Sequence, residues 1–121
     1  MILVIDDNRE MAECIAKATG RSDALICDNA IEAMGEIDNT VPEMIFMEVM
    51  LTGPDGFTLL NELASYVDTG KVPVAIISSV NFRGMDLGSY GVVEVLNKDS
   101  FRPADVRRLV EKYVVATRVE G

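Results

Sequence analysis

Five short apolar runs, separated by stretches with helical spacing, constrain this chain more than any other feature. They are "MILVI" (Met1–Ile5), "ALIC" (Ala24–Cys27), "MIFM" (Met44–Met47), "VAII" (Val74–Ile77) and "VVEVL" (Val92–Leu96). The runs are continuous rather than alternating, as strands covered on both faces tend to be. Between them Met11, Cys14, Ile15 and Ala18 fall on one helical face, and Ala30, Ile31, Met34 and Ile37 on another. A third helix is expected over about residues 57–67, with Phe57, Leu60, Leu63 and Ala64 inward. A fourth, roughly 82–89, is weak, because Gly84 and Gly88 each cost ~1 kcal/mol in a helix interior. A fifth opens at Pro103 and carries Val106, Leu109, Val110 and Tyr113.

Strict alternation of strand and helix implies a parallel sheet with helices on both faces. The expected fold class is therefore α/β: one doubly wound, five-stranded parallel sheet of order 2-1-3-4-5 with five helices. Any other small α/β sandwich remains open at this point. With 121 residues the chain has room for one domain, 1–121, with 117–121 read as a short C-terminal tail. A net charge of −9 repels phosphate backbones, so no direct nucleic-acid binding is expected. Apolar runs are too short for a membrane span and the start is no signal peptide, so a cytoplasmic location is expected. Cys14 and Cys27 read as buried structural thiols in a reducing compartment. Histidine is absent, which removes His-based catalysis and the usual zinc sites.

In such a sheet, sites form beyond the carboxyl ends of the strands. There the chain places Asp6 and Asp7 after the first run, Glu48 after the third, Ser78 and Ser79 after the fourth, and Lys98 after the fifth. Three carboxylates in one crevice are costly without a cation among them. Lys98 supplies one charge, and a weakly held Mg²⁺ is the natural candidate for more. Each element also has a bland explanation. Asp6 and Asp7 could open the first helix with Asn8 as cap, Ser78 could serve a turn, and Asp55-Gly56 could be turn chemistry.

Taken together, "ILVIDDN", "DNAIEAM", "PEMIFMEVMLTGPDGF", "VPVAIISS" and "VVEVLNK" resemble the receiver domain of bacterial two-component response regulators over essentially the whole chain. The resemblance implies roles by position. Asp6 and Asp7 would be the metal-binding acids, with Glu48 and the Met50 backbone carbonyl completing the site. Ser78 and Lys98 would contact a phosphoryl group. Glu48 stands where the family's aspartate accepts that group from a partner's phosphohistidine. Val95 stands at the position of the usual aromatic switch residue, Thr52 and Asp99 at common proline positions.

One extra methylene moves the Glu48 carboxylate by ~1.5 Å. A shift of ~1 Å can cost on the order of 100-fold in a positioned reaction. Phosphoryl transfer is nearly all positioning and charge stabilisation. The longer arm also carries a negative charge towards Lys98 and Ser78, with one charge against ~1.5 to 2 for a phosphate monoester. The expectation is a non-enzymatic signalling module that works through protein partners independently of phosphorylation, or as a partial phosphomimetic. Those partners would be a sensor histidine kinase or phosphotransfer protein and a downstream signalling protein. The alternative is an ordinary phosphoacceptor regulator whose aspartate has been replaced by glutamate. A small Mg²⁺-dependent phosphohydrolase of the haloacid dehalogenase type ranks lower, since Asp6-Asp7-Asn8 is not D-x-D and there is no room for a cap. A flavodoxin-like cofactor binder ranks lower still, since "DDNREM" would repel phosphate.

Overall fold

A computed structural model describes residues 1–115, and the expected tail at 117–121 lies outside them. The chain runs β1 (Ile2–Ile5), α1 (Arg9–Ala18), β2 (Ala24–Cys27), α2 (Ala30–Asn39), β3 (Met44–Met47), α3 (Gly56–Ala64), β4 (Val74–Ser78), β5 (Val92–Asn97) and α4 (Pro103–Val110). After α4 the helix widens into a π-type turn at Glu111–Val115. The strands form one parallel sheet in the order β2-β1-β3-β4-β5. In register, Ile5 lies beside Cys27 and Met47, and Ser78 beside Asn97, so the carboxyl ends of the strands line up along one edge.

Alternation along each strand sends side chains to two separate cores. Leu3, Ile5, Ile45, Met47 and Ile76 pack beneath α2 and α3 with Ala33, Ile37, Leu60 and Leu63. Val4, Phe46, Ala75 and Ile77 pack beneath α1 and α4 with Ile15, Val106, Leu109 and Val110. Each fully buried Val, Leu, Ile, Phe or Met side chain among them contributes roughly 1.5–3 kcal/mol. The central strands β1, β3 and β4 are buried throughout, whereas β2 and β5 are edges with partly exposed residues.

Three helix starts are set by side-chain caps. Asn8 accepts the Met11 N–H, Asn29 the Glu32 N–H and Asp55 the Thr58 N–H. Among the described residues no helix is long and apolar enough to cross a membrane.

Several expectations need correction. The described residues hold four α-helices rather than five, because residues 82–89 turn instead of coiling. Gly84 sits at φ +86° and Gly91 at φ +82°, left-handed values that end helical propagation, and only a short 3₁₀ turn forms at Gly88–Tyr90. Phe82 and Leu87 still anchor the segment to the core, Phe82 edge-on to Phe57 with centroids 6.1 Å apart. Cys27 is buried as expected, but Cys14 is exposed. On α2 the inward positions are Ala30, Ala33 and Ile37, and Ile31 is 70% exposed. On α3, Leu59 is buried and Ala64 lies outside.

Candidate functional site

β1 delivers Asp6 into the sheet edge, where its N–H donates to the Cys27 carbonyl at 3.1 Å. The side chain is almost fully buried. Asp6 Oδ1 accepts the Asn8 N–H at 2.9 Å. Asp6 Oδ2 is paired with the Lys98 ammonium 2.9 Å away. Since Asn8 caps α1, the acids before it are not the cap.

β3 ends at Met47, and the Glu48 N–H continues the ladder to the Ile5 carbonyl at 2.9 Å. The chain then folds around the Glu48 side chain. Glu48 Oε2 accepts the Val49 N–H at 2.7 Å and the Met50 N–H at 3.1 Å. Glu48 Oε1 accepts from Lys98 Nζ at 3.0 Å. Below this loop, the Gly56 N–H donates to the Val49 carbonyl at 2.8 Å. A Cβ on Gly56 would come within 2.6 Å of Val49 Cα, so only glycine lets α3 start this close to the loop.

β5 brings Lys98 across from β4, with its N–H on the Ser78 carbonyl at 3.0 Å. Ser78 is buried at the end of β4, and its hydroxyl oxygen accepts the Val80 N–H at 3.2 Å. Burial pushes the Glu48 carboxyl up, but the Ser78 hydroxyl, the Met50 N–H and Lys98 together hold it below the usual range. Burial likewise pushes Lys98 down, and the Asp6 and Glu48 carboxylates more than reverse it, so the ammonium stays charged. The site is two buried carboxylates sharing one lysine.

Asp6, Glu48, Ser78 and Lys98 therefore meet, while Asp7 stays exposed at the rim and accepts the Thr52 hydroxyl at 2.9 Å. Met50, read as a carbonyl donor, offers its N–H to Glu48 and leaves its side chain exposed. Val95 lies on β5 beside Ile76 and is partly open to solvent. Sequence reasoning missed the Thr52–Asp7 bond. A hydroxyl at a position where the family resemblance implied proline was the available signal.

The donor set does not suit a divalent ion as it stands. Both Glu48 oxygens face protein donors, Lys98 lies between Glu48 and Asp6, and Asp7 is turned to Thr52. Among the described residues no group of three such side chains is placed to hold a metal.

The response regulator receiver domain family matches residues 2–112. The chain belongs to that family. Solved structures share the receiver fold. The NtrX receiver domain of Brucella abortus is 22% identical, with 93% of this chain and 97% of that chain covered and a TM-score of 0.80. A two-component response regulator of Clostridium difficile is 21% identical, with 93% of each covered and a TM-score of 0.77. A sensor protein of Polaromonas sp. JS666 is 16% identical, with 95% of each covered and a TM-score of 0.83. Against a longer NtrX chain the receiver spans 28% of the length.

Proposed function

We propose that this receiver is a two-component signalling module that works through protein partners and does not readily take a phosphoryl group. On this reading Glu48 stands at the acceptor position and provides a permanent, partial substitute for the phosphorylated state. The reading rests on one observation, the closure of the Glu48 carboxylate onto Lys98 and the Val49 and Met50 N–H groups. An incoming phosphoryl group would have to displace that anion from Lys98, which lowers the driving force for transfer as well as its geometry. The module is not an enzyme on this view. Its partners are a kinase or phosphotransfer protein on the input side and a signalling protein on the output side. A divalent ion binds weakly because Glu48 is engaged elsewhere.

The test is intact mass after incubation with acetyl phosphate and Mg²⁺. Wild type should gain no phosphoryl mass, and Glu48→Asp should gain one, because Asp6, Asp7, Ser78 and Lys98 remain. Equal labelling of both proteins would sink the reading.

A further inference from the structure

Ile31, Tyr66 and Val67 are apolar and largely exposed, Val67 at 79%, and all three lie on or just beyond α2 and α3. Between these helices run two hollows of about 210 and 220 Å³. Both are bordered by Met34 and Glu62, so the two hollows adjoin and together make a groove along α2 and α3. Ile31 lies at one end and Tyr66 at the other, with Asp38 and Asp68 also on the wall. No Lys or Arg occurs in the sequence between Arg21 and Lys71, although Asp and Glu recur throughout that stretch. Exposed apolar patches rimmed by polar residues mark interaction sites, and walls of one charge sign select a partner of the other.

We propose that this groove binds an amphipathic helix with basic flanks from a partner protein. α2 spans ten residues, so the groove accommodates about two to three turns of helix at ~1.5 Å per residue. Apolar residues at i, i+3, i+4 and i+7 of the partner fill the floor, and Lys or Arg beside them meets Asp38, Glu62 and Asp68. The surface is separate from the Glu48 pocket. The inference rests on the proposed function only in taking protein binding as the output.

The probe is a designed peptide of about 15 residues, with Leu at that spacing and Lys elsewhere, titrated while backbone amide shifts are followed. Shifts should concentrate on α2 and α3, and added salt should weaken binding. A scrambled peptide of the same composition should bind roughly tenfold more weakly, as should the peptide to Ile31→Asp or Glu62→Lys. Both positions are exposed, so circular dichroism should show intact folds, and Tyr66→Lys gives an independent third variant. Ala104→Asp, on α4 across the sheet, should leave binding unchanged. No binding, equal binding of the scrambled peptide, or shifts centred on α1 and α4 would each overturn the proposal. So would self-association in sedimentation that Ile31→Asp abolishes, because the occupant would then be a second copy. None of these results touches phosphate labelling at position 48, so failure here leaves the proposed function standing.

Discussion

The two ends of the sheet solve one electrostatic problem in different surroundings. At the amino end Arg21 bridges Asp23, at 2.9 and 2.7 Å, and Glu43, at 2.7 Å. At the carboxyl end Lys98 bridges Asp6 and Glu48 at 2.9 and 3.0 Å. The distances match, and so does the exposure of the two cations, 17% for Arg21 and 15% for Lys98, but the burial of their partners does not. The Asp23 side chain is 44% exposed, whereas Glu48 is 7% and Asp6 1% exposed. The Met1 ammonium also meets Asp23 at 3.3 Å and Glu43 at 2.7 Å, and it and water can stand in for Arg21, so removing Arg21 alone costs little despite its bidentate geometry. Asp6 and Glu48 are buried, and among the described residues no other cation is paired with them, so Lys98 has no such substitute. The contrast teaches that contact geometry alone does not rank these clusters.

The sharpest way to break the comparison is to remove each cation. Lys98→Met leaves two buried carboxylates unpaired and should cost about 3–5 kcal/mol in urea unfolding. Arg21→Met should cost about 1 kcal/mol or less by the same measurement, a surface-pair value. Comparable losses at the two ends would remove the distinction.

Acid unfolding sharpens it further. The Arg21 hydrogen bonds draw Asp23 from 3.8 to about 2. The Glu48 carboxyl also lies below its ordinary 4.5, against the upward push of burial. For both groups the folded value is the lower one, so each contributes stability that is present above about pH 4 and lost as pH falls through the folded value. Glu48→Gln should flatten the stability profile below about pH 5 and lower stability at neutral pH by about 2 kcal/mol, because Lys98 keeps only Asp6. Asp23→Asn should change the same limb by less than about 1 kcal/mol, since exposure screens its pair.

The smallest expected effect is on metal. Glu48→Asp shortens the arm that now reaches Lys98 and frees a carboxylate for the crevice. It should strengthen Mg²⁺ binding in an amide-shift titration. Tighter binding by the wild type would show that the longer arm still serves as a ligand.

The sheet was legible because β1, β3 and β4 are buried on both faces, and burial of that kind leaves an uninterrupted apolar run. The pocket was legible in outline, because parallel topology brings every strand's carboxyl end to one edge. Helix faces were less so. Ile31 and Cys14 satisfy helical spacing, yet Ala33 and Ala12 are the residues that meet the core, small enough for close approach to the sheet. Spacing defines a stripe, and the width of the buried part depends on the neighbours. The direction of the Glu48 carboxylate was only partly readable. Its reach towards Lys98 follows from arm length, but its curl onto the Val49 and Met50 N–H groups depends on how tightly Gly56 lets the loop fold back.

On the proposed reading Glu48 acts as the pocket's own anion, held by Lys98. A double-mutant cycle with Glu48→Gln and Lys98→Met, read by urea unfolding at neutral pH, measures that interaction directly. We predict a coupling of about 2 kcal/mol or more, against less than about 1 kcal/mol for Arg21→Met with Asp23→Asn. A Glu48–Lys98 coupling near zero would contradict the account, since the carboxylate would then lie beside the lysine without depending on it.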